Sequence, residues 1–135
     1  MQTFLPLPNY YESMQCLDKS RLGNQVWREG LTLIRGGWPN HPASKMWRGH
    51  EFHLGLYLLA GLSVLRERSG KDYNEIEMKI KTEMFKHKNT GAPKWLGDDK
   101  FHSSHRSNLL RKNKEHYSQF GWKESDNLPY YWPIK

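Results

Sequence analysis

Cysteine is nearly absent from this 135-residue chain. Cys16 stands alone, which excludes an internal disulfide framework and any multi-cysteine zinc site. Long apolar runs are missing too: the longest, Leu54 to Leu65, is too short to cross a bilayer. Met1-Gln2-Thr3-Phe4-Leu5-Pro6 lacks the charged-then-apolar layout of a signal peptide. Acidic residues are in the minority, 14 against 21 Lys and Arg, which leaves a net charge of +7. Hydrophobic residues reach only 36%, yet 13% of the chain is aromatic, with six Trp and seven Tyr. Disordered chains are poor in large rings, so the expectation is a folded, soluble, intracellular protein. Its length fits one domain, residues 1–135.

Excess positive charge concerns partners rather than fold. Phosphate backbones suit it, because their neutralisation releases counterions, and exposed rings can stack on bases. No stretch pairs a basic face with a clean apolar one, so a membrane surface is the poorer match. The same composition also fits a plain solvated surface over an aromatic core.

Periodicity predicts an all-α fold. Pro6 and Pro8 make the first dozen residues an extended arm. A helix is expected from Asp18 to Arg35, stopped by Gly36-Gly37. At about 100° per residue, Leu22, Val26, Trp27, Leu31, Leu33 and Ile34 share its apolar side. Gly23 and Gly30 fall inside that side, where another helix could come close. Asp18, Arg21, Gln25, Arg28, Glu29 and Thr32 fill the remaining arc. A longer helix is predicted from Ala43 to Glu67, apolar on two sides and therefore central. Asn74 to Lys86 repeats Ile76, Ile80 and Met84 at helical spacing. Asn89 to Asp99 reads as loop, and Ser103 to Tyr117 as a short basic helix. An irregular aromatic tail closes the chain.

Candidate chemistry is concentrated in two places. On the first helix, Arg21, Gln25 and Arg28 line up over two turns at a spacing suited to phosphates. Glu29 beside them can act as acid, base or cation stabiliser. The same pattern fits a merely solvated face. The second place is the basic helix, where Arg106, Arg111, Lys112 and Lys114 suit backbone contacts that position a duplex. Elsewhere His50-Glu51-Phe52-His53 lacks zinc-protease spacing and reads as core or site-lining histidine. No Gly-rich phosphate loop is present, and Cys16 reads as a structural thiol. No metal and no cofactor are expected.

Leu17-Asp18-Lys19-Ser20-Arg21-Leu22, followed by Val26-Trp27-Arg28-Glu29, resembles the first helix of the phage endonuclease V, or pyrimidine-dimer DNA glycosylase, family. Asn40-His41-Pro42, the stretch Ser104 to Arg111, His116-Tyr117 and Phe120-Gly121-Trp122 resemble later blocks, in the same order. The resemblance implies a helical domain with its N-terminal arm threaded among the helices. It implies excision at ultraviolet-induced pyrimidine dimers in duplex DNA and strand cleavage at the abasic sugar, without metal. In that family the chain's own α-amine attacks C1′ and forms an imine. Glu29 matches the glutamate that supports this step, and Arg28 matches a residue contacting DNA near the lesion; Arg21 and Gln25 share the face through helix geometry alone. The family pattern has a small second residue, so that the initiator methionine is removed. Gln2 is bulky, which makes the α-amine of a retained Met1 the implied nucleophile. A monomer in the cytoplasm of a bacterium or phage-infected host is expected. The rival readings are a glycosylase for another altered base and a DNA-binding protein without catalysis. A nuclease would need an acidic metal cluster, and none is evident.

Overall fold

One helix, α5 (Glu51–Ser69), packs against α1 (Tyr10–Cys16), α2 (Lys19–Gly23), α3 (Gly30–Ile34) and α6 (Asn74–Met84), and α3 also meets α6 directly. The computed structural model describes residues 2–133 and contains no strand among them. The predicted all-α fold is therefore the observed one. The remaining helices are α4 (Pro42–Trp47), α7 (Asp99–Lys112) and α8 (Lys114–Tyr117). Leu54, Tyr57, Leu58, Leu62 and Leu65 are buried on one side of α5, while Phe52, Leu56 and Leu59 on the opposite side are partly buried against the same core. No helix among the described residues is long and apolar enough to cross a membrane.

Three boundaries differ from expectation, each for a local reason. The arm gives way to helix early: Asn9 caps α1 by accepting from Glu12 N at 2.9 Å, although Pro6 and Pro8 suggested extended chain through residue 12. The predicted central helix is broken into α4 and α5 at Arg48-Gly49-His50. Gly49 sits at φ +86°, a left-handed conformation that an α-helix cannot continue through. The basic helix starts at Asp99 rather than Ser103, because Asp98 accepts from Lys100 N at 3.0 Å.

The run from Asp18 onward departs most. Between α2 and α3, residues Asn24–Glu29 form a π-helical segment. Its wider turn shifts the angular register, so a regular 3.6-residue projection misplaces the side chains around it. Trp27, expected on the apolar side, is 43% exposed and stacks on Tyr73 at 6.0 Å. Gln25, expected on the polar face, is 2% exposed. Gly30 does admit another helix: a Cβ there would lie 2.1 Å from Leu58 of α5. Gly23 instead faces the Trp27 ring of its own run.

The tail folds back along α7. Ser107 Oγ donates to Ser125 O at 2.5 Å, and Leu128 N donates to Ser107 Oγ at 3.0 Å. Asn108 Nδ2 donates to Leu128 O at 3.1 Å, and Tyr131 N donates to Ser104 Oγ at 3.2 Å. A row of buried polar side chains on α7 thus replaces the hydrogen bonds that an irregular segment lacks.

Candidate active site at the arm and the π segment

Thr3 Oγ1 accepts from Trp47 Nε1 at 2.9 Å, Phe4 N donates to Gln25 Oε1 at 2.8 Å, and Tyr57 OH donates to Phe4 O at 2.7 Å. Residues 2 to 6 of the arm are all buried. Leu5 is held from both sides by α7: its N–H donates to His105 Nδ1 at 2.9 Å, and its carbonyl meets His102 Nδ1 at 2.7 Å. Gly97 N donates to His102 Nε2 at 2.8 Å, so His102 carries its proton on Nδ1 and donates it to Leu5 O. His105 must accept at Nδ1, which fixes the neutral Nε2–H tautomer. Complete burial agrees, pushing its pKa down to about 3. Arg106 Nη1 closes the series on Pro6 O at 2.8 Å. An extended, Pro-containing segment is thereby fixed inside the domain, as a threaded arm requires.

Gln25 joins this arm to the carboxylate. Its Nε2 donates to Gln2 O at 2.7 Å and to Glu29 Oε2 at 2.9 Å. The two acceptors share one amide nitrogen, and Gln25 Oε1 is in turn bound by Phe4 N and Tyr57 OH. Every polar atom of this amide is engaged, so it orients the site rather than presenting a free donor. Met1, the expected nucleophile, lies outside the described residues.

A cleft of about 290 Å³ opens here, walled by Gln2, Arg21, Gln25, Glu29, Lys112 and Tyr130 among others. Three chain segments contribute: the arm, the α2–π run and the α7–tail unit. Arg21 is half-buried and pairs with Asp18 at 3.2 Å. Burial raises the pKa of Tyr130 against the opposing positive charges of Arg111 and Arg21. Gln2 is 3% exposed; its Oε1 accepts from Thr3 N at 2.9 Å, while its Nε2 has no partner among the described residues.

The predicted residues separate into groups. Arg21, Gln25 and Glu29 come together at the cleft. Arg28 lies next to them on the exposed surface, beside Trp27. Arg106 points inward: it is 15% exposed and pairs with Glu124 at 2.9 Å and Asp99 at 3.5 Å. Its charge is spent inside the fold, which corrects its expected place on an outer basic face. Arg111 is exposed and bonded to Asn108 Oδ1, and Lys114 is exposed near Asp126 at 3.5 Å. Sequence reasoning missed Tyr130 and Gln2 as cleft walls, and read Lys112 only as part of the basic helix. No spacing rule connects residues 2, 29, 112 and 130; tertiary contact does.

The other candidates are structural. Cys16 is buried, and burial pushes its thiol pKa up to about 11. His53 Nδ1 pairs with Tyr10 OH at 3.0 Å. No three His, Cys, Asp or Glu side chains gather as a metal site among the described residues.

A family model described as pyrimidine dimer DNA glycosylase matches residues 1–81. That span holds the arm, the π segment with Gln25, Arg28 and Glu29, and all of α5. Comparison with curated proteins and with solved structures gives no match.

Proposed function

The chain belongs to the pyrimidine dimer DNA glycosylase family, and from that premise we propose a two-step repair reaction on damaged duplex DNA. A cyclobutane pyrimidine dimer is the substrate we infer, and the protein acts on it as a monomer in the cytoplasm. In the first step the α-amine of a retained Met1 attacks C1′ of the damaged nucleotide. The C1′–N bond to one pyrimidine of the dimer breaks, its electron pair stays with that base, which remains joined to its neighbour through the cyclobutane ring, and the amine proton passes to Glu29. Opening of the sugar then gives an imine. Loss of a C2′ proton expels the 3′ phosphate and cuts the strand.

The observation that carries this reading is the shared donor, Gln25 Nε2, which ties Gln2 O and the Glu29 carboxylate to a single atom. An α-amine suits the role because its ordinary pKa of about 7.7–8.0 leaves an appreciable neutral fraction at physiological pH, whereas a lysine near 10.4 would need strong desolvation. Arg21 and Lys112 in the cleft, and Arg28, Arg111 and Lys114 around it, supply phosphate contacts. Extruding a nucleotide costs a few kcal/mol, least for a damaged one.

Borohydride trapping on a dimer-containing duplex tests the mechanism. The expected result is a covalent adduct that peptide mapping places on Met1, with intact mass establishing that Met1 is kept. Acetylating the amine, or extending the N-terminus, should abolish trapping and strand cleavage together. An adduct on an internal lysine would overturn the assignment of the nucleophile. Cleavage of the glycosidic bond with no adduct would indicate direct attack by water activated by Glu29. A panel of duplexes carrying other altered bases tests the choice of lesion.

A further inference from the structure

Away from the candidate cleft, Lys45, Arg48 and Lys94 border a second, open cavity of about 580 Å³, together with His50, Trp95 and Pro133. The three cations come from separate segments. Lys45 and Arg48 stand at the C-terminal end of α4, where positive charge also suits the helix dipole. Lys94 belongs to the 89–97 loop and is brought in by packing. Trp95 Nε1 donates to Met46 O at 3.0 Å, its ring meets Trp47 edge-on at 4.9 Å, and Thr90 Oγ1 donates to Gly49 O at 2.7 Å. All three cations are exposed. None of them forms an ion pair among the described residues. Arg48 Nη2 donates to Pro39 O at 2.6 Å, which leaves the rest of its guanidinium to solvent. Gathering like charges costs energy, and the helix dipole accounts for only two of them. An anionic partner accounts for all three.

The tail links this cavity to the cleft, since Tyr130 walls the one and Pro133 the other. Three residues of chain span at most about 11 Å, or about three nucleotide steps of a DNA strand. We propose that Lys45, Arg48 and Lys94 form a second phosphate-binding surface, which holds the DNA backbone a few nucleotides to one side of the lesion. The proposal rests on the glycosylase reading above for the place of the lesion. Lys94 lies beyond residues 1–81, so the family match does not reach it. The contact is blind to base sequence. It adds affinity and fixes the register of the duplex, while the cleft supplies the chemistry. Donors spread over α4 and a loop, around a cavity open to solvent, suit a continuous polyanion better than one small anion.

Charge and position are tested separately. Lys45→Gln, Arg48→Gln and Lys94→Gln combined should lower the salt dependence of dimer-duplex binding by up to about 2.7, at about 0.9 per contact. Arg48 also holds Pro39 O, so the Lys45→Gln, Lys94→Gln pair is measured beside the triple variant. It keeps that bond and should lose about 1.8. Position is read from two series of dimer duplexes, each shortened from one end. Wild-type affinity should step down in one series only, as the end is cut back from about six to about one base pair beyond the dimer. The triple variant should show no such step. Wild-type salt dependence in both variants would overturn the proposal. So would an equal loss on the shortest duplexes, which assigns the three cations to the general field of the protein. Wild-type protein that binds these duplexes without cutting the dimer would refute the glycosylase reading instead; the one-sided step, and its loss in the triple variant, would still support the contact.

Discussion

The helical run from Lys19 to Ile34 and helix α7 carry similar polar residues and use them in opposite ways. In the first, a π segment turns Gln25 inward and Trp27 outward, leaving Arg28 on the surface and Glu29 at the cleft. In α7 the inward polar face binds chain rather than ligand. His102 and His105 hold the arm, Ser104, Ser107 and Asn108 hold the tail, and Arg106 spans both through Pro6 O and Glu124. The first run presents chemistry; the second positions it. Polarity in a sequence therefore does not separate a surface that meets a ligand from one that meets its own backbone. Most buried polar groups find a partner, and irregular segments supply plenty.

Removing the carboxylate tests the comparison most severely. Glu29→Gln should slow glycosidic-bond cleavage by about a thousandfold, within the range for a lost acid–base group, while damaged-DNA binding stays close to wild type. Turnover at the wild-type rate would strip the first run of its chemical role.

Acid should attack the positioning helix instead. His105 titrates near 6.5 when unfolded but only at about 3 in the fold. Between those values the unfolded chain binds a proton that the native state refuses, so stability falls as pH drops through the window. Unfolding free energies from urea titrations should decline from neutral pH downward, by roughly a few kcal/mol, with His102 adding in the same direction. His105→Asn, which can still accept from Leu5 N, should flatten the slope. An unchanged slope in that variant would remove His105 as the cause.

The smallest effect separates two cations of α7. Lys112→Ala should lower the salt dependence of duplex binding by about 0.9 per lost phosphate contact. Arg106→Ala should leave that dependence alone and cost roughly 1–3 kcal/mol of stability, because Pro6 O loses this donor and the Glu124 carboxylate keeps only the Ser103 hydroxyl. A matching drop in salt dependence for Arg106→Ala would return it to the DNA-facing surface.

Much of the molecule was legible before any coordinates. Helical periodicity gave the all-α class, and the two-sided apolar pattern of Leu54 to Leu65 identified the central helix. The Arg28–Glu29 pair and its flanking block pointed to the family, and the need of Gly30 for a close neighbour was readable as well. These features are local or periodic, so neighbours in sequence carry them. Tertiary structure alone decided the rest. Nothing in residues 24–29 announces a π turn, yet it sets which side chains reach the cleft. The arm is buried because residues about a hundred positions away supply hydrogen bonds to Leu5 and Pro6. The cleft exists because Gln2, Glu29, Lys112 and Tyr130 converge, and such convergence depends on how helices pack, which no single segment encodes.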